Sequence, residues 1–320
     1  MEAKWRWVLV AAVAPITWGS TYLVTPMFLP ADAPLWGAAL RALPAGLLLL
    51  AIRRRLPRGA WWWKAAVLGT LNMGAFFALV YVAAQLLPAS IASTLMATSP
   101  VAMMLIAWAV ISERPRALAL GGAALGIAGV ALMVLTGTTA VRAPGVLASV
   151  SAMAMASLGY VLAKKWGAGV DVLSQTSWQL VFGGLMLLPA AALVEGALPH
   201  FDGPAVTAMA YQSVIATALA YACWFAALGR LGAGTVGLIG LLNPVTGVLL
   251  GTAVAGEALS GRQLAGMGLV LAGILLGQPA LEAWLRAKAG LRRRTPPPAS
   301  TARLPATTPH HPPLPGRVQS

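Results

Sequence analysis

The chain has 320 residues, of which 59% are hydrophobic and only 9% are charged, and its formal net charge is +14. Soluble domains carry about 25% charged residues, so this composition excludes an ordinary soluble protein and indicates a polytopic membrane protein. The single cysteine, Cys223, excludes an intramolecular disulfide. The three histidines lie outside the apolar segments and form no cluster with metal-ligand spacing, so neither a metal site nor a cofactor is predicted.

Apolar segments follow one another along most of the chain, each near the roughly 20 residues that a spanning helix needs. Several contain Pro or Gly, which membrane helices tolerate better than soluble helices do. The first segment ends without an A-x-A-like cleavage site and is therefore interpreted as an uncleaved helix. The ten predicted segments are 7–28, 33–52, 64–86, 89–111, 117–136, 144–164, 174–194, 205–228, 233–255 and 262–282.

Lys and Arg residues are concentrated in alternate loops between these segments. If the amino terminus is cytoplasmic, 19 of the 22 Lys and Arg residues lie on the cytoplasmic side, Arg142 and Arg262 lie outside, and Arg41 lies within a helix. By the positive-inside rule this asymmetry predicts a multi-pass protein of the inner or plasma membrane with both termini in the cytoplasm. It also makes the lipid bilayer, and not nucleic acid, the expected partner of the positive charge.

Two stretches of the chain, 144 residues apart, repeat one unusual pattern. The sequences "SPVAMMLIAWAVISE" (99–113) and "NPVTGVLLGTAVAGE" (243–257) each contain Ser or Asn, then Pro-Val, then a Glu thirteen residues after the proline. The same offset aligns two pairs of glycines, Gly122 with Gly266 and Gly129 with Gly273. The shared spacing indicates an internal repeat.

The repeat predicts the architecture of the whole chain. Each half contains five predicted helices, and an odd number places the second half in the membrane in the opposite orientation, as in many secondary transporters. We therefore expect an all-α membrane protein with ten transmembrane helices in two inverted five-helix repeats. The predicted repeats are 1–140 and 141–289, and the Pro-, Thr- and Arg-rich residues 290–320 predict a disordered cytosolic tail.

Several motifs resemble the EamA branch of the drug/metabolite transporter superfamily. They are "WGSTYLV" (18–24), "LRALPAGLLLL" (40–50), the two Pro-to-Glu helices, and "GEALSGRQLAGMGLVLAGILLG" (256–277), which is similar to the last-helix motif of that family. The resemblance covers residues 7–282, and its first part also resembles PecM-like proteins. It implies a ten-helix bundle and outward transport of small metabolites or amino acids.

Pro100 and Pro244 occupy equivalent positions in the two repeats. Each proline lacks a helical N–H and crowds the carbonyl four residues earlier, at Met96 and Gly240. Within a bilayer, such carbonyls need a partner in the protein or a water-lined cavity. Each proline therefore marks either a bend beside a substrate path or a packing kink.

Arg41 is the only formal charge well inside a predicted span. A charge at the bilayer centre costs about 2.5–3.5 kcal/mol on insertion scales. No carboxylate lies at a similar depth in another predicted helix. Arg41 is therefore expected to face a polar cavity, to bind backbone carbonyls, to contact an anionic substrate group, or to extend outward to the membrane surface.

Glu113 and Glu257 are the acidic residues that end the two repeated stretches. Each lies at the end of a predicted helix, and Ser260 with Gln263 forms an S-x-x-Q capping box after the second one. We therefore predict structural roles for both glutamates, and the sequence offers no buried carboxylate for a proton relay.

The remaining candidates for substrate contact are aromatic or hydrogen-bonding residues on predicted helices 1, 3, 4, 6, 8 and 9. Ligand sites combine aromatic walls with a few polar anchors, although helix packing is an alternative role for each of these residues. The candidates besides Arg41 are Trp18, Thr21, Tyr22, Asn72, Phe76, Thr94, Thr98, Tyr160, Tyr221, Trp224 and Asn243.

These features predict a secondary transporter that exports small metabolites or amino-acid-like compounds by alternating access. An uptake carrier for an anionic metabolite is an alternative. For phosphorylated sugars or nucleotide sugars it would need several cations in the cavity, and only Arg41 is available. A membrane regulator without transport is another alternative. No enzyme is predicted, because no catalytic constellation lies at membrane depth, and the sequence does not indicate an oligomeric state.

Overall fold

The computed structural model describes residues 2–30, 32–87, 92, 95–134, 142–255 and 260–288, and all regular secondary structure in this part of the chain is helical. The predicted tail at 290–320 lies outside the described residues. The α-helices are α1 (Glu2–Phe28), α2 (Pro34–Arg53), α3 (Trp61–Gly69), α4 (Ala75–Leu86), α5 (Ser99–Ile111), α6 (Ala117–Val134), α7 (Ala143–Trp166), α8 (Val172–Val194), α9 (Gly203–Ser213), α10 (Ala220–Leu228), α11 (Ala233–Gly240), α12 (Leu242–Ala255), α13 (Gly261–Leu276) and α14 (Pro279–Lys288).

Met1–Ala283 form one compact unit, which contains the packing and the site discussed below. A second unit, Trp284–Ser320, is described only in the last residues of α14. Within the described ranges, seven helices are long and apolar enough to cross a membrane, or up to eight if a bent helix pair counts as one span. Two shorter apolar helices, α5 and α6, accompany them. The all-helical membrane fold is confirmed, whereas the count of ten spans stays a prediction.

The two Pro-to-Glu segments are interrupted near their prolines, although the sequence predicted continuous helices over 89–111 and 233–255. In the second segment, α11 ends at Gly240 and α12 begins at Leu242. In the first, a turn in which Thr98 N donates to Leu95 O (3.1 Å) precedes α5. The physical reason is the missing proline N–H and the crowding of the preceding turn.

Small residues allow α6 and α13 to cross in close contact. A Cβ atom built on Gly129 would lie 2.6 Å from the carbonyl oxygen of Gly266, and one built on Gly266 would lie 2.6 Å from that of Gly129. Gly122 and Gly273 meet in the same reciprocal way. Because residue numbers rise along one helix as they fall along the other, the two helices are antiparallel. Such glycine contacts are typical of helix association in membranes.

Helices α2 and α8 form a second antiparallel pair that is fastened at both ends. At one end, Arg53 Nε donates to Asp171 Oδ2 (2.8 Å), and this hydrogen bond lowers the pKa of Asp171 to about 2. At the other end, the Glu195 carboxylate accepts from the backbone N–H groups of Leu35 (2.7 Å) and Trp36 (2.9 Å). These contacts fix the relative position of the two helices.

Two π-helical segments interrupt the helical ladder at equivalent positions. Thr70–Gly74 joins α3 to α4, and Val214–Leu219 joins α9 to α10. They begin 144 residues apart, which is the offset of the repeated motif. Helix α8 packs on the first segment, where Asn72 Nδ2 donates to Gln179 Oε1 (2.8 Å), and α2 packs on the second. Such segments are rare and occur frequently at functional sites.

Candidate functional site

A cavity of about 450 Å³ lies between the helices of the compact unit. Its volume falls in the range of about 300–1,000 Å³ that is typical of small-molecule sites. Its walls are largely apolar, and they come from α1, α2, α4, α5, α7, α10, α11 and α12. Of the residues proposed from the sequence, those that line it are Trp18, Thr21, Arg41, Phe76, Tyr160, Tyr221, Trp224 and Asn243.

Aromatic rings from three helices form one wall of this cavity. The Trp18 ring centroid lies 5.0 Å from that of Tyr221 and 5.3 Å from that of Trp224. Tyr160 continues the cluster, with its centroid 5.5 Å from that of Trp224. Tilted and edge-to-face contacts at these distances are favourable and restrict the rings. The wall is therefore suited to the flat face of an apolar or aromatic group.

Arg41 places a cation beside the aromatic wall. Its Nε donates to Thr217 Oγ1 (3.0 Å), its Nη2 donates to the carbonyl oxygen of Ala216 (3.2 Å), and its guanidinium carbon lies 5.7 Å from the ring centroid of Phe77. Among the described residues, no carboxylate forms an ion pair with it. Arg41 therefore lines the cavity and binds a backbone carbonyl, and it does not extend outward to the membrane surface.

The carbonyl that binds Arg41 belongs to the second π-helical segment. In an α-helix, Ala220 N would donate to Ala216 O, but here it donates to Ile215 O, five residues earlier, and to Thr217 O. Ala216 O instead accepts from Trp18 Nε1 (3.0 Å) as well as from Arg41. The local shift in helical hydrogen bonding thus provides an acceptor at the cavity.

Two further polar side chains of the cavity lining have atoms without partners. Trp224 Nε1 and Asn243 Oδ1 are both buried, and neither has a hydrogen-bond partner among the described residues. Trp224 is 2% exposed, so water reaches its ring poorly in this conformation. Buried polar groups without partners are uncommon and occur at functional positions.

Asn72 and Thr98 lie away from the cavity. Asn72 is fully buried against α8 and bonds to Gln179, so its role in this structure is to join two helices. The Thr98 hydroxyl donates to the carbonyl oxygen of Leu95 (2.6 Å) and stabilises the turn before α5. The sequence could not separate these roles, because these helices are apolar on all sides and indicate no inward face.

Three other candidates cannot be placed with respect to the cavity. Thr94 and Glu257 lie outside the described residues, as does the side chain of Tyr22. Their roles stay predictions.

Several lining residues were not proposed from the sequence. On α7, Ser149, Met153 and Ser157 accompany Tyr160 on one side of the helix, and on α4 Phe77 follows Phe76. The available signal was that these residues and Tyr160 follow one another at intervals of three or four positions, since residues at these spacings share a helix face. Serine and methionine are too common in membrane helices for that spacing to be specific.

The two equivalent prolines have different surroundings. Pro244 lines the cavity together with Asn243. Pro100 is buried, and its Cα atom would lie 3.1 Å from a Cβ atom on Gly237 of α11. Pro244 therefore lies beside the cavity and Pro100 packs against α11, and the role of each proline as a bend or a packing kink stays a prediction.

Glu113 lies at a helix junction and not in the cavity. Its Oε2 pairs with Lys164 Nζ (2.9 Å), and its Oε1 accepts from Ala233 N (3.0 Å) at the start of α11. The carboxylate therefore joins the ends of three helices and caps one of them. The capping box of Ser260 and Gln263 is confirmed at the start of α13.

Replacing Glu113 by leucine should lower the free energy of unfolding by about 1–3 kcal/mol, because it leaves the Lys164 ammonium and the Ala233 N–H without this partner. Glu113→Gln retains an acceptor for the amide and should lose less. Thermal unfolding in detergent measures both variants. Loss of transport by a stable Glu113→Gln protein would contradict the structural role and favour proton transfer.

The family model described as EamA-like transporter family matches residues 5–135 and 143–277. Protein PecM of Dickeya dadantii is 38% identical over 247 residues, which are 75% of this chain and 82% of PecM. The "probable amino-acid metabolite efflux pump" of Salmonella typhimurium is 28% identical over 285 residues, which are 83% of this chain and 93% of that protein.

A solved crystal structure has the same fold. It superposes with a TM-score of 0.77 at 20% identity and covers 88% of this chain and 98% of its own. At that identity the likeness concerns the fold alone. The family model, by contrast, matches most of the chain in two consecutive copies. The protein therefore belongs to the EamA-like transporter family and is a multi-pass membrane transporter.

Proposed function

We propose that this protein exports a small metabolite carrying an anionic group, such as an amino-acid-like compound, by alternating access. The observation that carries the proposal is Arg41, a cation without a carboxylate partner among the described residues, in an aromatic-walled cavity. Ionisable residues inside membrane helices are rare and usually serve substrate or ion pathways. Guanidinium groups bind carboxylates and phosphates with strong, charge-assisted hydrogen bonds.

Alternating access is supported by the relation between the two halves. The reciprocal contacts of Gly129 with Gly266, the antiparallel course of α2 and α8, and the matched π-helical segments are those expected of two inverted repeats. We propose ten spans in two five-helix repeats, 1–140 and 141–289. The cavity then lies where the repeats meet, and rocking of one group of helices against the other exposes it to either side.

The outward direction is supported by a relative. The Salmonella protein is named an efflux pump for amino-acid metabolites, and it aligns over most of both chains. Uptake of an anionic metabolite is the second candidate, since a cation such as Arg41 in the cavity would bind an anionic substrate equally well in either direction of transport. Arg41 is the one cation among the described lining residues, and a single cation fits one carboxylate better than the several charges of a sugar phosphate.

A comparison of metabolites tests the proposal. Cells that express the protein and cells that carry an empty vector are analysed for metabolites inside the cells and in the medium. The proposal predicts that at least one organic acid or amino-acid-like compound is enriched in the medium of expressing cells. Enrichment inside those cells instead would support uptake, and identical profiles would contradict transport of such compounds.

The proposed topology makes a separate prediction. A reporter enzyme fused after Ser320 should be active as a cytosolic fusion, because the positive-inside asymmetry supports a cytoplasmic position for both termini. The matched control is the same reporter inserted after His200, between α8 and α9, which should behave as external. Reporter activities measured in intact cells show on which side of the membrane each fusion point lies. An external signal at Ser320 would contradict the ten-span count.

A further inference from the structure

The second π-helical segment, Val214–Leu219, has an arrangement of hydrogen bonds that its structural role alone does not require. It offers two acceptors, Thr217 Oγ1 and Ala216 O, to one guanidinium group. Thr217 is 1% exposed, so its hydroxyl is not available to bulk water. Both acceptors bind nitrogen atoms of Arg41, and a guanidinium group has five N–H donors. At least three N–H groups of Arg41 are therefore not used by these two bonds.

We propose that Thr217 is a positioning residue, which together with the Ala216 carbonyl holds the guanidinium of Arg41 so that its remaining N–H groups face an anionic substrate. This inference rests on the proposed function. A long arginine side chain loses considerable conformational entropy when it is fixed on binding. Fixing the side chain before the substrate arrives removes that cost from the binding step.

The first π-helical segment provides an internal comparison. The alignment of Trp36 with Trp178 places Gly183 of α8 at the position of Arg41 of α2. A Cβ atom on Gly183 would overlap the side chain of Met73, so this site has no room for a charged residue. The first π-helical segment therefore packs closely against α8 at Gly183, whereas the second π-helical segment binds Arg41 at the cavity.

Trp18 connects this arrangement to the aromatic wall. Its Nε1 shares the Ala216 carbonyl with Arg41, and its ring contacts Tyr221. Arg41 and Trp18, which is part of the aromatic wall, therefore both donate to the carbonyl oxygen of Ala216. A ligand with a carboxylate next to a flat apolar group matches both parts.

The test compares binding of anionic and neutral probes to the purified full-length protein. The probes are benzoate, phenylacetate and indole-3-acetate, each paired with its uncharged amide, and calorimetry gives the affinities. The wild-type protein should prefer at least one carboxylate over its amide by about tenfold or more. Thr217→Val, which removes the hydroxyl but keeps the shape, should reduce that preference several-fold and leave amide binding unchanged. Thr217→Ser should restore the preference.

The matched control is Thr70→Val in the first π-helical segment, where the hydroxyl donates to Ala66 O of its own helix (2.9 Å). This variant should retain the wild-type preference. If Thr217→Val does not fold, Thr217→Ala, which is smaller, takes its place. A wild-type preference in a folded Thr217→Val or Thr217→Ala protein overturns the positioning role alone. If no carboxylate is preferred by the wild-type protein, or if Arg41→Ala keeps the preference, the proposed function fails and the positioning role fails with it.

Discussion

Replacing Arg41 by alanine should reduce export by about ten- to a hundredfold while the protein still inserts into the membrane. The substitution removes the cation that we expect to bind the substrate, and hydrogen bonds to charged groups contribute about 1.5–3 kcal/mol. The fold should survive, because Thr217 and Ala216 lose a donor but the aromatic contacts of Trp18 remain. Export is measured as the ratio of the compound in the medium to that in the cells, normalised to the amount of protein in the membrane fraction.

The matched control for this prediction is Arg41→Lys. It keeps the charge but loses the planar group that binds Thr217 and Ala216 together, so it should retain part of the activity. Arg41→Met keeps the length and removes the charge, and it should resemble Arg41→Ala. Normal export by Arg41→Ala would remove Arg41 from the mechanism. Equal losses of normalised export in all three variants would indicate that the guanidinium group itself, and not only its charge, is required, whereas a lower amount of protein in the membrane fraction would indicate a role in folding.

Replacing Gly266 by valine should destabilise the protein by about 3 kcal/mol, the upper end of the typical range for overpacked sites. A Cβ atom at this position would lie 2.6 Å from the Gly129 carbonyl oxygen and 3.0 Å from Met133 N. Both are backbone atoms, so the clash cannot be relieved by a change of rotamer. Helices α6 and α13 would have to separate along their crossing. Thermal unfolding in detergent, followed by size-exclusion chromatography, measures the effect.

Gly268 provides the matched control on the same helix. Among the described residues, nothing beyond the adjacent residues and the local backbone of α13 lies within 4 Å of a Cβ atom built there, and a valine adds the same side chain with the same helical propensity. Gly268→Val should therefore unfold near the wild-type temperature. If Gly266→Val is as stable as Gly268→Val, the close crossing of α6 and α13 is not a source of stability.

The sequence was sufficient to predict the helical membrane fold, because long apolar runs and the distribution of Lys and Arg report directly on the bilayer. It was not sufficient for the breaks within the runs. The interruption between α11 and α12 arises from the local geometry around Pro244, and apolarity continues across it. The π-helical segments have no compositional signal, since residues 214–219 read as ordinary helix-forming sequence.

Part of the candidate site could also be predicted. Aromatic and polar residues are few in an apolar chain, so choosing them by type identified eight of the 24 lining residues, including Tyr160 and Trp224. Residue type could not show which way a helix faces, and Asn72 was therefore assigned to the cavity although it bonds to Gln179. Binding of Arg41 to a backbone carbonyl was among the expectations, but the identity of that carbonyl was beyond prediction, because Ala216 O becomes accessible only through the π-helical hydrogen bonding.

Each π-helical segment contains one residue more than the α-helical turn it replaces, and one residue corresponds to a rotation of about 100° around the helix axis. Everything on α10 is therefore turned by that angle relative to a continuous helix from α9. The rotation brings Tyr221 and Trp224 to the cavity wall, and an uninterrupted helix would turn them away from it. The aromatic wall therefore depends on one extra residue in the helical turn before α10, and both π-helical segments carry such a residue at the 144-residue offset of the repeated motif.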